Sequence, residues 1–192
     1  MTHPRDTTIA SAVWRRLDVP GHDACRLRPS TYGWRIEGTA IYVEGAQPVT
    51  LHYALELDAR WRSLRGEVHG WRGARAVSFS MTRLTDGEWS LNGVGVPGLR
   101  GCEDLDYSFT PATNLPQLRR IDLPDGAAAE VPAAWFDVET GSLSLLPQRY
   151  ERRSLETYWY ESISARYAAL LEVSGSGFCT EYPGLWTAER AG

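Results

Sequence analysis

Lysine is absent. All 20 basic residues of the 192-residue chain are arginine, set against 24 acids for a net charge of −4. The arginines are scattered among the acids and form no basic face, which argues against nucleic-acid binding. No apolar run approaches the roughly 18 residues of a membrane-spanning helix. The opening stretch MTHPRDTTIASAVWRRL has no apolar segment after a basic start, so no signal peptide is expected. Cysteine is scarce too: Cys25, Cys102 and Cys179 are odd in number, far apart and without a Cys-x-x-Cys pair. That disfavours a disulfide framework and a zinc site, and a reduced, cytoplasmic protein fits best. His3, His22, His52 and His69 do not fall at metal-ligand spacing. There is no phosphate loop, and no lysine to complete one; no serine sits in a G-x-S-x-G turn. Neither a metal nor a cofactor is expected.

The chain is rich in large rings, with 8 Trp and 9 Tyr, and in strand alternation. In PVTLHYALELDA, Val49, Leu51, Tyr53, Leu55 and Leu57 share one face and Thr50, His52, Glu56 and Asp58 the other. RAVSFSMTRL repeats the pattern, and shorter alternations run over Trp34–Val43, Trp61–Val68, Glu88–Leu91 and Leu105–Phe109. Glycine and Asp-Gly punctuation separates many of them. Many short strands with frequent turns predict a mostly β fold, an antiparallel sheet that curls or closes. No linker, repeat or low-complexity segment divides residues 1–192, which suffice for a single domain with a substantial core. The best helix candidate is DGAAAEVPAAWFDVETG, Asp125 to Gly141: Ala-rich, with Pro132 placed to hold a first turn and a glycine at its end. One short helix among many strands needs a concave face to pack on, which a curved sheet supplies. LETYWYESISARYAALLEVS fits both periods, and its aromatic density favours strands.

The segment RGCEDLDYSFTPATNLPQLRR concentrates polar groups. On a strand, Asp104 and Asp106 share one side, with Glu103, Leu105, Tyr107 and Phe109 on the other. Alternate residues lie about 6.6 Å apart, within the roughly 5–9.5 Å separating the carboxyls of glycosidases. Any Asp-x-Asp strand gives that spacing. In QLRRIDL, read as a returning strand, Arg119 lies with Ile121 and Leu123, and Arg120 with Leu118 and Asp122. Arg119 is then expected on the more apolar side, where a guanidinium needs a carboxylate partner. Arg119 or Arg120 could face Asp104 or Asp106, depending on register. Pro111 and Pro116 predict a stiff connection, and Asn114 a turn or a ligand contact. The corner could be an ion-paired loop closure, a polar pocket or a catalytic pair.

GCEDLD, TPATNLP and the arginine pair, in this order, resemble the central signature of the family named Putative glycolipid-binding, a bacterial group earlier listed as a domain of unknown function. PVTLHYALELDARWR resembles its early strand, with Asp58, Trp61 and Arg62. PQRYERR and YWYES resemble its glutamine–tyrosine and paired-tyrosine segments, and GFCTEYPGLW its closing strand with Tyr182–Pro183. The segment departs from the family pattern in one place: Leu115–Pro116 follows Asn114 directly, where one more residue is usual. The resemblance implies a long, strongly curved antiparallel sheet wrapped around one short helix, remotely like lipoprotein carriers. It also implies a homodimer and an acidic pocket for a glycolipid, and it reads Leu155–Ser174 as strand. Carboxylates and Asn suit sugar hydroxyls, and aromatic rings suit sugar faces or an acyl chain. The expected ligand-binding residues are Asp104, Asp106, Asn114, Arg119 and Arg120, with Trp61, Tyr158 and Tyr160 as stacking or apolar contacts. Binding without catalysis is the first expectation. A sugar-processing enzyme using Asp104 and Asp106, and a dimeric interaction protein without a small ligand, are the alternatives.

Overall fold

The computed structural model describes residues 7–192; His3 and the start of the N-terminal stretch lie outside the described residues. The first half of the chain is a run of hairpins: β1 (Ala10–Arg16), β2 (Gly21–Pro29), β3 (Gly33–Glu44), β4 (Gln47–Asp58), β5 (Ser63–Arg72), β6 (Arg75–Arg83), β7 (Trp89–Leu91) and β8 (Val94–Val96). After β9 (Asp104–Tyr107) come a 3-10 turn at Pro111–Thr113 and the helix α1 (Asn114–Ile121). The chain then continues as β10 (Ala128–Glu130), β11 (Ala133–Asp137), β12 (Ser142–Leu146), β13 (Arg149–Ser154), β14 (Thr157–Ser162), β15 (Tyr167–Val173), β16 (Cys179–Tyr182) and β17 (Trp186–Ala191).

Fourteen strands form one antiparallel sheet, ordered β10, then β13 to β17 in succession, then β1 to β8 in succession. β17 pairs with β1, so the C-terminal strand joins the two runs. The alternation read in β4 is real: Val49, Leu51, Tyr53, Leu55 and Leu57 are all buried. Leu155–Ser174 is strand, carried by β14 and β15.

The sheet must curl, and contacts of the short central segment prove it. Thr110 Oγ1 lies 3.2 Å from Tyr53 Oη on β4, while Asn114 Nδ2 donates to Tyr150 Oη on β13 at 2.8 Å. Those strands are eight steps apart in the sheet, about 38 Å if it were flat. Thr110 and Asn114 are separated by about 8 Å of tight turn and helix. Only a sheet bent around α1 brings both walls to it. Close approaches serve the bend: a Cβ on Gly38 of β3 would fall 2.5 Å from the Tyr53 ring.

Two elements differ from the sequence reading. Asp125–Gly141 is not helical but forms β10 and β11 around a turn. β11 is the middle strand of a second sheet ordered β12–β11–β9, with Ala133, Ala134 and Phe136 buried. A short apolar run buried in this way carries no strand period, and tertiary packing overrode the helix preference of its alanines. β9 and β11 of this second sheet pair in parallel, which the crossover through α1 makes possible.

The helix lies instead in the segment read as a stiff connection and returning strand. Thr110 caps the 3-10 turn by accepting from Ala112 N, and Pro111 follows at its first position. Pro116 falls among the first residues of α1, whose N–H groups have no intrahelical partner to lose. The helix stops at Asp122, which adopts the left-handed conformation and donates its N–H to Leu118 O. Arg119 and Arg120 occupy the last turn, where positive charge complements the helix dipole.

Candidate functional site

The helix replaces strand register as the device that brings arginine to aspartate. Arg120, in the last turn of α1, donates Nη2 to Asp104 Oδ2 at 2.6 Å and Nε to both carboxylate oxygens at 3.1 and 3.2 Å. Its Nη1 donates to Glu103 at 3.0 Å. Asp104 is fully buried. Burial pushes its carboxyl above the ordinary value against the pull of Arg120. Burial also opposes the Arg120 charge, but its bonds to Asp104 win and leave the guanidinium more basic than usual. Arg119, expected on the apolar side, is exposed, and Arg120 has the carboxylate. A 3.6-residue period turns these neighbours to different faces than a strand would.

Asp106 faces a different environment. Its Oδ1 accepts from Thr113 Oγ1 at 2.5 Å. Burial raises its pKa to about 6, against the bonds it accepts. Behind it runs a buried polar chain: Asn114 donates to Tyr150, Tyr150 to Gln117 Oε1 at 2.9 Å, Gln148 Nε2 to the same oxygen at 2.6 Å, and Tyr160 to Gln148 Oε1 at 2.9 Å. Each hydroxyl and amide is oriented by the next, so the polar floor is rigid. Gln117 was not picked out from the sequence, and Gln148 entered only through the resemblance of PQRYERR to a glutamine–tyrosine segment. PQRY held the signal only as a glutamine among strand residues.

This floor closes one end of a cavity of about 430 Å³ between the three-stranded sheet and strands β14 to β17. Asp106, Asn114 and Tyr160 line it, and Trp135, Tyr182 and Trp186 provide further aromatic wall. Leu145, Leu146 and Leu185 add aliphatic surface. Of the eight residues expected to bind ligand, Asp106, Asn114 and Tyr160 alone line this cavity. Asp104 does not, so the two aspartates share no space in which to act as a pair. Tyr158 is buried in a separate cluster with Leu118, Leu171 and Val173.

Trp61, Arg119 and Arg120 line an open groove of about 520 Å³ together with Arg60, Arg62, Glu103 and Asp122. Trp61 has φ 67° and stacks on Trp34 at 4.9 Å between centroids. The Arg119 guanidinium lies 5.9 Å from the Trp61 ring. Asp58 builds the loop, accepting from the backbone N–H of Arg60 and Arg62 and from Arg62 Nε at 2.7 Å. Burial alone would raise the Asp58 carboxyl; the bonds from Arg62 and Arg60 bring it below the ordinary value.

The three cysteines are free and buried. Burial and the nearby Asp104 charge push the Cys102 thiol up to about 11. No group of three or more His, Cys, Asp or Glu among the described residues is placed to hold a metal ion. No helix among them is long and apolar enough to cross a membrane.

A family model described as "Putative glycolipid-binding" matches residues 11–188. A crystal structure of a DUF1089 family protein from Pseudomonas aeruginosa superposes with a TM-score of 0.76 at 26% identity, covering 86% of this chain and 91% of that one. No curated protein matches.

Proposed function

The chain belongs to the glycolipid-binding family whose model spans residues 11–188, and from that premise we propose that it binds a glycolipid or related amphiphile in the cavity beside Asp106 without transforming it. The observation that carries this reading is the composition of the cavity. Its aromatic and aliphatic walls end on a rigid polar floor formed by Asp106 and Asn114. Its volume of about 430 Å³ falls within the range of about 300–1,000 Å³ typical of small-molecule sites. An acyl or alkyl chain gains from the walls, while the carboxylate and amide accept from and donate to sugar hydroxyls. The acid of the pocket is thus Asp106, with Asp104 acting from behind as the anchor of Arg120 and α1. A carboxyl pair divided in this way favours binding over glycoside hydrolysis, which needs both groups beside the same bond. Action in the cytoplasm as a homodimer, within glycolipid metabolism, belongs to the same proposal.

Native mass spectrometry of protein purified from its own cells tests it. A retained glycolipid, or saturable binding of an added alkyl glycoside, is the expected result. Asp106→Asn should weaken the glycoside more than the matching plain alkanol, because only the glycoside presents hydroxyls to that position. Protein that is free of lipid and unresponsive to every added amphiphile would refute the reading.

A further inference from the structure

We propose that the groove around Trp61 is an oxyanion site, separate from the aromatic cavity, that takes a phosphate-type group. The loop after β4 presents Arg60, Trp61 and Arg62 in succession to this groove. A left-handed φ of 67° on a tryptophan is unusual and strained. The bonds accepted by Asp58 and the stack on Trp34 hold the loop in that state. What the strained residue provides is a ring held close to the Arg119 guanidinium.

The charges in the groove are not all spent. Arg62 is paired with Asp58, and Arg120 with Asp104 and Glu103. Arg60 has no ion pair or side-chain hydrogen bond among the described residues. Arg119 donates only from Nη2, to the backbone carbonyls of Ser176 at 2.8 Å and Gly175 at 3.5 Å. Those neutral acceptors fix the guanidinium without cancelling its charge, and they leave it further N–H donors. Gly177, in the same turn, keeps the space: a Cβ there would come 3.1 Å from Arg119 Nε. Of the two acids lining the groove, Glu103 is held by Arg120 and Asp122 stands exposed at the helix end. Two guanidinium groups without carboxylate partners, one of them held by a strained aromatic platform, suit a tetrahedral oxyanion better than a neutral sugar. The anion could be a lipid phosphate or a soluble phosphate ester, with the same chemistry at the groove.

Titration with inorganic phosphate, followed by NMR at constant ionic strength against chloride, tests the site. Saturable shifts at the Trp61 indole N–H and the Arg119 Nε–H are expected, with Arg60→Ala and Arg119→Ala each weakening binding about tenfold. Arg15→Ala, on β1 and directed toward Glu189, should bind like the wild type. Because the Arg60 side chain makes no bond among the described residues, its removal leaves the fold intact and keeps the test decisive even if Arg119→Ala unfolds. Co-sedimentation with phosphatidic acid vesicles would assign the site to a lipid headgroup. Competition by glycerol 3-phosphate without vesicle binding would assign it to a soluble ester. Shifts that do not saturate, that match chloride, or that keep the wild-type affinity in Arg60→Ala overturn the proposal and leave the cavity reading untouched.

Discussion

Removing Arg120 would leave Asp104 as a fully buried carboxyl without its hydrogen-bonded partner and beside the Glu103 charge, since Nε, Nη1 and Nη2 of Arg120 all bond those two acids. Breaking a buried pair from one side costs about 3–5 kcal/mol, more than the pair itself is worth, because the orphaned charge stays behind. Arg120→Ala is therefore expected to unfold at markedly lower urea, by about that amount, in equilibrium denaturation. The double variant Asp104→Leu/Arg120→Met should recover most of the loss, because hydrophobes of similar size need no partner. If the single and double variants are equally unstable, the contact serves packing of α1 rather than charge. Two positions along the strand, Asp106→Asn should cost far less: the amide oxygen still accepts from Thr113, and no charge is stranded. The difference between two aspartates on one strand thus lies in what the helix sets opposite each.

That helix also marks where the sequence was legible and where it was not. Strands with one buried face announced themselves: β4 and β6 were readable because their alternation matches the pleat. The same counting set Asp104 with Asp106 and against Glu103, but Arg120 binds Glu103 and Asp104 together, and of these three acids Asp106 alone lines the cavity. α1 was missed because Pro111, Asn114 and Pro116 read as breakers, although Thr110–Pro111 is equally a cap followed by a first-turn proline. β11 was missed for another reason, since its short apolar run over residues 133–136 shows no alternation in sequence and its alanines favour helix. The pairing of Arg120 with Asp104, and the assembly of Gln117 with Gln148, depend on the bend of the sheet, which local pattern does not encode. At the element scale α1 is a wedge between the two walls. Leu115, fully buried in the larger core with Trp14 and Leu51, should cost about 2–5 kcal/mol as Leu115→Ala. Ile163→Ala, at an 87% exposed turn position, should leave the thermal midpoint nearly unchanged.

For the whole molecule, the buried carboxyls set an unusual dependence of stability on pH. Asp23, buried on β2, accepts from Tyr53 at 3.0 Å and from Thr110, and burial raises it from 3.8 to about 7. Asp106 is raised the same way, to about 6. A carboxyl whose folded pKa lies above its unfolded value favours the fold while protonated. Its contribution is complete below about pH 4 and is lost as pH rises through 6 to 7, at up to about 1.4 kcal/mol per pH unit for each group. Glu37 acts in the opposite sense. Burial works against its charge, but bonds from Arg28, Arg35 and Arg26 lower its pKa to about 2. Its contribution is present above about pH 4.5 and lost as pH falls toward 2. The two groups of carboxyls therefore bracket a stability maximum near pH 4–5, more acidic than the usual range of about 5–8. Urea denaturation from pH 3 to 9 should show that maximum, with a decline from about pH 5 to 7 that levels off above it. Asp23→Asn should flatten the decline and raise stability at pH 8 while gaining little at pH 4, where the wild-type carboxyl is already neutral. A decline that persists unchanged in Asp23→Asn and in Asp106→Asn would show that neither carboxyl is neutral in the fold. The curl that surrounds α1 would then leave both groups better solvated than their burial implies.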